Sequence, residues 1–369
     1  MTQLAPMDVP SRMARLRDRL DEAGCDAVLV TRMVNVRYLT GFSGSAAMVL
    51  VRPGDVLFVT DGRYRDQSAA ELSAAGTEAE IVIGLTGEAQ KELVAEAATG
   101  IARLGLEAGA VTWARQRRFA EEWFPSAELV ATEGLVEELR LVKDEGEVAR
   151  MAAAAAIADD ALAAVRPRLV ERPTESDLAI ELDFEMRRRG ASGSSFETIV
   201  GSGPNGALPH ARPGNRRIEA GELVVIDFGA VVDGYCSDMT RTVCVGEPAS
   251  ATARRMVDVV TESQAAGVAA VRAGATAAGV DEVCRSIIAE AGWADAFLHG
   301  TGHGVGLEIH EEPRVAATSS DTLAAGWVVT VEPGVYLPEH GGVRIEDTVV
   351  VTEDGCRVLT NAPKELVIA

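Results

Sequence analysis

Hydrophobic and polar positions follow two rhythms along this chain. Near the N-terminus Met13, Leu16 and Leu20 recur at helical spacing among arginines, which predicts an amphipathic helix over Ser11 to Ala23. Short apolar runs at Ala27 to Val30, Ala46 to Val51 and Val56 to Val59 predict strands, punctuated by Gly41, Gly44, Pro53 and Gly62. Glu88 to Ala98 returns to a helical pattern that stops at Gly100, and Leu104-Gly105-Leu106-Glu107 opens another strand. Strands alternating with helices define an α/β N-terminal domain over residues 1–138.

The rest, residues 139–369, begins with a charged connector, Leu139 to Glu145. An Ala-rich helix is expected over Asp144 to Val165, with Pro167 just past its end. Thr174 reads as an N-cap, with Asp177 three residues on, for a helix running to Arg189 and stopped by Gly190. Two more helices are expected over Ala251 to Ala273 and Thr276 to Ala291.

Two segments of this domain share one design. Gly221-Glu222-Leu223-Val224-Val225-Ile226-Asp227 and Gly326-Trp327-Val328-Val329-Thr330-Val331-Glu332 are each a glycine and an apolar strand ending in an acid. Each is followed by a second strand bearing an acid, in Ser237-Asp238-Met239-Thr240 and Arg344-Ile345-Glu346-Asp347-Thr348. The domain is therefore read as α+β, built from two variants of one helix-plus-hairpin unit.

The first hairpin can be built residue by residue. Asp233-Gly234 is a strong two-residue turn signal. It pairs Val232 with Tyr235 and brings Gly229 opposite Asp238. Side chains alternate along a strand, so Asp227 and Gly229 share a face. Asp227 and Asp238 become diagonal neighbours, roughly 7–8 Å apart at the backbone, with Gly229 leaving the space between them open. The second connection, Pro338-Glu339-His340-Gly341-Gly342, is looser and leaves its register undetermined; by analogy Glu332 and Glu346 face the same cavity.

An isolated charge is costly to bury, and four facing carboxylates repel one another unless a cation holds them. With His303, which stands between the two hairpins, Asp227, Asp238, Glu332 and Glu346 form a candidate site for two metal ions. The set is hard and oxygen-rich, favouring Mn²⁺, Co²⁺ or Fe²⁺ over the thiolate-rich pattern of structural zinc. Two ions sharing carboxylates can bridge a water, lower its pKa and present hydroxide to a carbonyl.

Composition narrows the classes. Hydrophobic residues make up 47% and charged residues 25%, ordinary for a soluble globular chain, and no apolar run is long enough to span a bilayer. The first ten residues lack a basic stretch followed by an apolar core, so a cytoplasmic location is expected. A net charge of −21 argues against non-specific binding to nucleic acid or anionic membranes. The five cysteines form no CxxC pair and fit reduced thiols, with Cys236 and Cys244 packed inside a strand.

The motifs resemble the pita-bread metallopeptidases (the creatinase, aminopeptidase P and prolidase family), and most closely Xaa-Pro dipeptidase and aminopeptidase P. The likeness rests on Ile226-Asp227-Phe228-Gly229, Ser237-Asp238-Met239-Thr240-Arg241-Thr242, His299-Gly300-Thr301-Gly302-His303-Gly304, Val331-Glu332-Pro333-Gly334 and Arg344-Ile345-Glu346-Asp347. Asn35 to Phe42 and Thr60 to Tyr64 resemble that family's creatinase-type N-terminal domain, so the likeness covers nearly the whole chain. It implies a creatinase-like domain followed by a pita-bread catalytic domain with pseudo-twofold internal repeat. It also implies a homodimer and a pair of divalent ions, foremost Mn²⁺, with Co²⁺, Fe²⁺ or Zn²⁺ as alternatives.

Carried over, the resemblance implies that Asp227 chelates one ion, that Asp238 and Glu346 bridge both, and that His303 and Glu332 complete the other shell. Glu332 also shuttles a proton, His210 and His299 lie beside the substrate, His310 donates to the developing oxyanion, and Arg344 steadies the site. Arg314 matches an arginine that meets a substrate's C-terminal carboxylate in some prolidases; a salt bridge to Glu311 or Glu312 is the competing explanation. Tyr38 and Asn35 match residues that reach a substrate across a subunit boundary, unless they are simply core. Read on their own, His210 and His310 could be solvent-exposed, His299 a buried structural histidine, and His340 a solvated turn residue. The expected activity is hydrolysis of the bond before proline, in dipeptides or at peptide N-termini, by a metal-bridged hydroxide. The alternatives are a metal-dependent hydrolase of a small non-peptide C–N substrate and a non-catalytic peptide-binding protein.

Overall fold

The computed structural model describes residues 4–368. Their contacts divide them into two compact units, Pro6–Arg140 and residues 141–368 together with Leu4 and Ala5.

In the first unit, apolar runs rich in valine and leucine form one sheet of six strands: β1 (Ala27–Val30), β2 (Ala47–Val51), β3 (Val56–Thr60), β4 (Glu80–Ile83), β5 (Arg103–Glu107) and β6 (Glu128–Thr132). The order is β4-β3-β2-β1-β5-β6. The pairs β1–β2 and β2–β3 are antiparallel, and β1–β5, β5–β6 and β3–β4 are parallel. Helices α1 (Val9–Arg17), α2 (Met33–Thr40), α3 (Arg65–Ala75), α4 (Gly87–Ala97), α5 (Trp113–Arg118) and α6 (Glu137–Leu141) connect or flank these strands. Several elements differ from expectation: α3, β4, α5, β6 and α6 fall where none was expected. α1 starts two residues early, because Pro10 fits a first helical turn, and gives way after Arg17 to turns that close at Gly24, φ 70°. α2 falls where no helix was expected and ends at Gly41, φ 76°.

The second unit contains two successive halves. The first has α7 (Glu145–Val165) and α8 (Glu175–Arg188), then β7 (Gly193–Ser194), β8 (Ile199–Ser202), β9 (Leu223–Phe228), β10 (Ala230–Val232), β11 (Tyr235–Cys236) and β12 (Met239–Val245). The second has α9 (Ala251–Ala270) and α10 (Ala277–Glu290), then β13 (Gly302–Gly304), β14 (Glu311–Val315), β15 (Val328–Val331), β16 (Gly334–Leu337), β17 (Gly341–Arg344), β18 (Asp347–Val351), β19 (Cys356–Val358) and β20 (Val367–Ile368). The helix starts follow local chemistry. Asp144 accepts from Glu147 N at 2.8 Å while Glu147 accepts from Asp144 N at 3.0 Å, and Thr174 and Asp177 repeat the exchange at 3.0 and 3.3 Å. Such a cap is worth about 1 kcal/mol.

Each helix pair covers a sheet. Leu162, Leu182 and Met186 of α7 and α8 pack with Ile226, Phe228 and Met239 from β9 and β12. Met256, Val260 and Ile288 of α9 and α10 pack with Val329 and Val349 from β15 and β18. The two sheets order as β20-β12-β9-β8 and β14-β13-β15-β18-β19. Threonines stitch them together. Thr242 Oγ1 donates to Arg344 O at 2.8 Å, Thr348 Oγ1 to Asp238 O at 2.8 Å, and Glu346 N to Thr240 O at 3.1 Å.

The first hairpin has the expected register. Val232 pairs with Tyr235 and Asp227 with Thr240, and Asp233 and Gly234 turn with φ of 46° and 81°. In the second, Gly334 pairs with Arg344 and Val331 with Asp347, so one continuous register sets Glu332 opposite Glu346. The two hairpins therefore hold their acids differently, diagonally in one and face to face in the other.

Candidate metal centre

Asp227, at the end of β9, and Asp238, just before β12, come from the first half. His303 lies in β13, Glu332 follows β15, and Glu346 sits between β17 and β18. All five line one cavity of about 520 Å³. Asp238, His303 and Glu346 each bring a ligand atom within 4.8 Å of the others. His303 Nε2 lies 3.5 Å from Asp238 Oδ2 and 3.4 Å from Glu332 Oε1.

Close packing sets these positions. A Cβ on Gly302 would sit 2.0 Å from Thr330 O, so only glycine lets β13 approach the neighbouring strand beside His303. Gly229 has a different role from the expected one. A Cβ there would meet Ser237 O at 1.9 Å and Ser195 Oγ at 2.2 Å. The glycine admits backbone and a serine, rather than leaving open space between the aspartates.

His303 Nδ1 lies 3.0 Å from Gly304 O. A carbonyl can only accept, so Nδ1 carries the proton and Nε2 turns its lone pair toward the carboxylates. Burial pushes the imidazole down to about 3, which keeps it neutral and able to ligate. The acids move the other way. Burial, then the charge of Arg344 and Asp227, leaves Glu332 at about 7, with Arg344 opposing the rise. Burial and the neighbouring acids lift Asp238 and Glu346 well above the usual carboxylate range.

The polar atoms left over fit a metal. Thr240 Oγ1 donates to Glu346 Oε2 at 2.7 Å, and Arg344 Nη2 donates to Asp227 Oδ2 at 2.5 Å. Among the described residues, Glu346 Oε1 and Asp227 Oδ1 are buried with no hydrogen-bond partner. Such oxygens are costly unless a cation meets them. Four carboxylates and one neutral imidazole suit a divalent ion with a preference for oxygen.

The other expected residues divide into two groups. His210, His299, His310, Arg314 and Arg344 line the same cavity. His210, His310 and Arg314 are exposed there, and the His310 ring lies 4.4 Å from that of His303. Glu311 is 3.1 Å from Lys143 Nζ, and among the described residues the Arg314 guanidinium has no ion pair, so the expected competing salt bridge does not form. His299 is held rather than solvated. Its Nδ1 meets Gly300 O and its Nε2 meets the Tyr336 hydroxyl, each at 2.8 Å, and burial keeps it at about 4.

Asn35 and Tyr38 lie elsewhere, and the expectation of substrate contact is corrected. Both are fully buried inside the N-terminal unit. Asn35 Nδ2 donates to Glu107 at 2.8 Å and Glu137 at 2.7 Å, and its Oδ1 accepts from Arg140 at 2.8 Å. Tyr38 donates to Leu139 O at 2.9 Å beneath the Arg12 guanidinium. They are core residues. Conversely, Tyr336 escaped the sequence reading. Its hydroxyl accepts from Arg344 Nη1 at 2.8 Å and links that arginine to His299.

A duplicated α+β domain that gathers these donors at the meeting of its halves defines a candidate divalent-metal protein. Comparison with known proteins agrees. Residues 149–353 match the model described as metallopeptidase family M24, and residues 12–142 match the creatinase/prolidase N-terminal domain. The chain belongs to metallopeptidase family M24, with the creatinase-type N-terminal domain and pita-bread catalytic domain that the motifs implied. It is 42% identical to an uncharacterized peptidase of Bacillus subtilis over 97% of this chain and 99% of the relative. Among solved structures, an Xaa-Pro dipeptidase from Bacillus anthracis matches with TM-score 0.91 and 42% identity, covering 97% of this chain and 99% of that one. An X-Pro aminopeptidase from Thermotoga maritima matches with TM-score 0.88 and 34% identity, covering 95% and 100%. Among the described residues no helix is long and apolar enough to cross a membrane.

Proposed function

We propose that this protein hydrolyses the peptide bond preceding proline, in dipeptides or at peptide N-termini, with two divalent ions held by Asp227, Asp238, His303, Glu332 and Glu346. The observation that carries the reading is the convergence of four carboxylates and a neutral imidazole on one cavity, with Asp227 Oδ1 and Glu346 Oε1 buried and unpartnered. Relatives described as Xaa-Pro dipeptidase and X-Pro aminopeptidase support the substrate class.

Asp227 would hold one ion, His303 and Glu332 the other, and Asp238 and Glu346 both. Bound Mn²⁺ would supply the Lewis acidity and lowered water pKa that amide hydrolysis needs. The residues of the chain do the rest. Glu332, on the cavity wall beside His303, can take a proton at an Oε atom and deliver it to the departing proline nitrogen. The exposed His310 imidazole can donate to a carbonyl oxygen as negative charge develops there. His210 and His299 flank the substrate, and the exposed Arg314 guanidinium offers a two-pronged contact for a substrate carboxylate. Proline lacks an amide N–H and has a fixed φ, so a site that grips the carbonyl side suits it. Cytoplasmic residence and a homodimer belong to the same reading.

Elemental analysis for bound metal, with assays on Gly-Pro, Ala-Pro and longer Xaa-Pro peptides, tests the proposal and separates dipeptidase from aminopeptidase action. Absence of metal-dependent cleavage of every one of these peptides would overturn it.

A further inference from the structure

Two buried carboxylates outside the metal-facing set behave alike in the two halves of the catalytic domain. Glu175, the first residue of α8, is fully buried. Its Oε1 accepts from Ser202 N at 2.8 Å and from Ser202 Oγ at 2.7 Å. Asn205 Nδ2 donates to both its oxygens, at 3.1 and 2.9 Å, and Gly214 N to Oε2 at 3.2 Å. Asp281, on α10, is also fully buried. Its Oδ1 accepts from Thr301 N at 3.0 Å and from Thr301 Oγ1 at 2.8 Å. Arg285 pairs with both its oxygens at 3.0 Å and passes the hold onward to Phe297 O at 3.1 Å and His299 O at 2.8 Å.

The chemical correspondence extends to the order of the elements, although Glu175 opens α8 and Asp281 lies one turn inside α10. α8 and α10 are the second helices of their halves. Ser202 ends β8, and Thr301 immediately precedes β13. In each half a hydroxyl residue gives both its N–H and its O–H to one oxygen of the helix carboxylate. Each anchored segment carries histidine. Ser202 to Gly214 includes His210, and the segment around Thr301 runs from His299 to His303. Thr301 O also accepts from Glu332 N at 2.7 Å. Neither Glu175 nor Asp281 lines the cavity. A buried carboxylate is tolerated only when its lone pairs are filled, so each one dictates where its donors lie.

We infer that Glu175 and Asp281 are paired positioning residues, one in each half. Glu175 sets the substrate-facing segment that carries His210, and Asp281 sets the ligand-bearing segment from His299 to His303. What those histidines do rests on the metallopeptidase reading above; the anchoring does not. An amide in place of either acid would turn an NH₂ group toward N–H donors and lose half of its acceptors.

The test compares Glu175→Gln and Asp281→Asn in the full-length protein. Hydrogen–deuterium exchange is read by mass spectrometry on peptides covering residues 203–214 and 299–303. Mn²⁺ affinity is measured by calorimetry, and kcat and KM on Ala-Pro. Glu175→Gln should speed exchange in 203–214 only and raise KM about tenfold, with kcat and Mn²⁺ Kd within about threefold of wild type. Asp281→Asn should speed exchange in 299–303 only and weaken Mn²⁺ about tenfold, the usual loss when a ligand's support is removed. Ser202→Ala and Thr301→Val remove the hydroxyl half of each anchor and should give the same divided pattern, and Thr301→Ser should restore it. These variants carry the test if an acid variant does not fold. Unchanged exchange in both segments, or lower stability with wild-type KM and Mn²⁺ Kd, would overturn the inference. If wild-type protein binds Mn²⁺ but leaves Ala-Pro intact, the peptidase reading fails while the exchange and Mn²⁺ measurements still decide the anchoring.

Discussion

Arg344 donates to Asp227 through Nη2 at 2.5 Å, and the remaining edges of the same guanidinium reach Tyr336, Pro209 O and Thr240 Oγ1. One planar group thus sets a metal-facing carboxylate, a tyrosine, the backbone beside His210 and a seam threonine. A lysine ammonium is a single nitrogen and cannot reach acceptors spread around all three guanidinium nitrogens. Arg344→Lys should lower kcat/KM about 100-fold, about 2.7 kcal/mol of transition-state stabilisation, in a protein that still folds. Steady-state kinetics with circular dichroism checks this.

Metal and proton compete for the same oxygens, which fixes a pH dependence. Burial raises the Glu332 carboxyl from 4.5 to about 7, and Asp238 and Glu346 are raised as well. A raised carboxyl favours the protonated fold. Its contribution to stability is complete below the unfolded value and is lost as pH climbs through the folded one. Chelator-treated protein should therefore show a falling Tm between about pH 5 and about pH 8, and Glu332→Gln should flatten part of that fall. Mn²⁺ at about 1,000 times its Kd should add about 4 kcal/mol, and at one fixed Mn²⁺ concentration the gain should grow toward the alkaline end, where protons no longer compete. Calorimetric melting across this range is the check.

His303 and His310 lie ring against ring at 4.4 Å, yet different losses are expected from them. His303 is buried with Nε2 facing two acids, and His310 is exposed on the cavity wall. His303→Ala should abolish stoichiometric Mn²⁺ binding. His310→Ala should leave Mn²⁺ Kd within about twofold and lower kcat by about 100-fold or more. Calorimetry and kinetics on the two variants separate ligand from oxyanion donor.

Behind Glu346 lies a buried ion pair. Arg241 Nη2 is 2.9 Å from Asp347, and Arg241 Nη1 is 2.5 Å from Glu346 O. Burial opposes ionisation of Asp347, but Arg241 and Lys364 outweigh it and hold the carboxyl below its ordinary value. Asp347→Ala leaves a buried guanidinium uncompensated and should cost about 3–5 kcal/mol in denaturant unfolding.

Asn35 ties Glu107, Glu137 and Arg140 together inside the N-terminal unit. Asn35→Ala should lower stability by about 2 kcal/mol, through unsatisfied buried partners, with kcat and KM of the folded enzyme unchanged. A tenfold rise in KM without loss of stability would return Asn35 to the substrate.

Much of the metal centre was legible because its signals are local. Asp233-Gly234 sets the register of the first hairpin, and the repeated pattern of glycine, apolar strand and acid located Asp227 and Glu332. Helix starts at Asp144 and Thr174 were legible for the same reason. Tyr336, Glu175 and Asp281 were not, because their meaning comes from partners at a distance: Tyr336 from His299, Glu175 from Ser202, Asp281 from Thr301. The second hairpin's register was hidden in a connection without a strong turn pair. Asn35 and Tyr38 resembled a binding motif, but only the helix α2 that carries them reveals that they point inward.

The donor set is split across the threonine seam, two acids on one side and an imidazole with two acids on the other. A partly folded chain with a single half in place cannot present the whole set. Tight ion capture is thereby reserved for the finished domain, and metal content becomes a gauge of correct assembly.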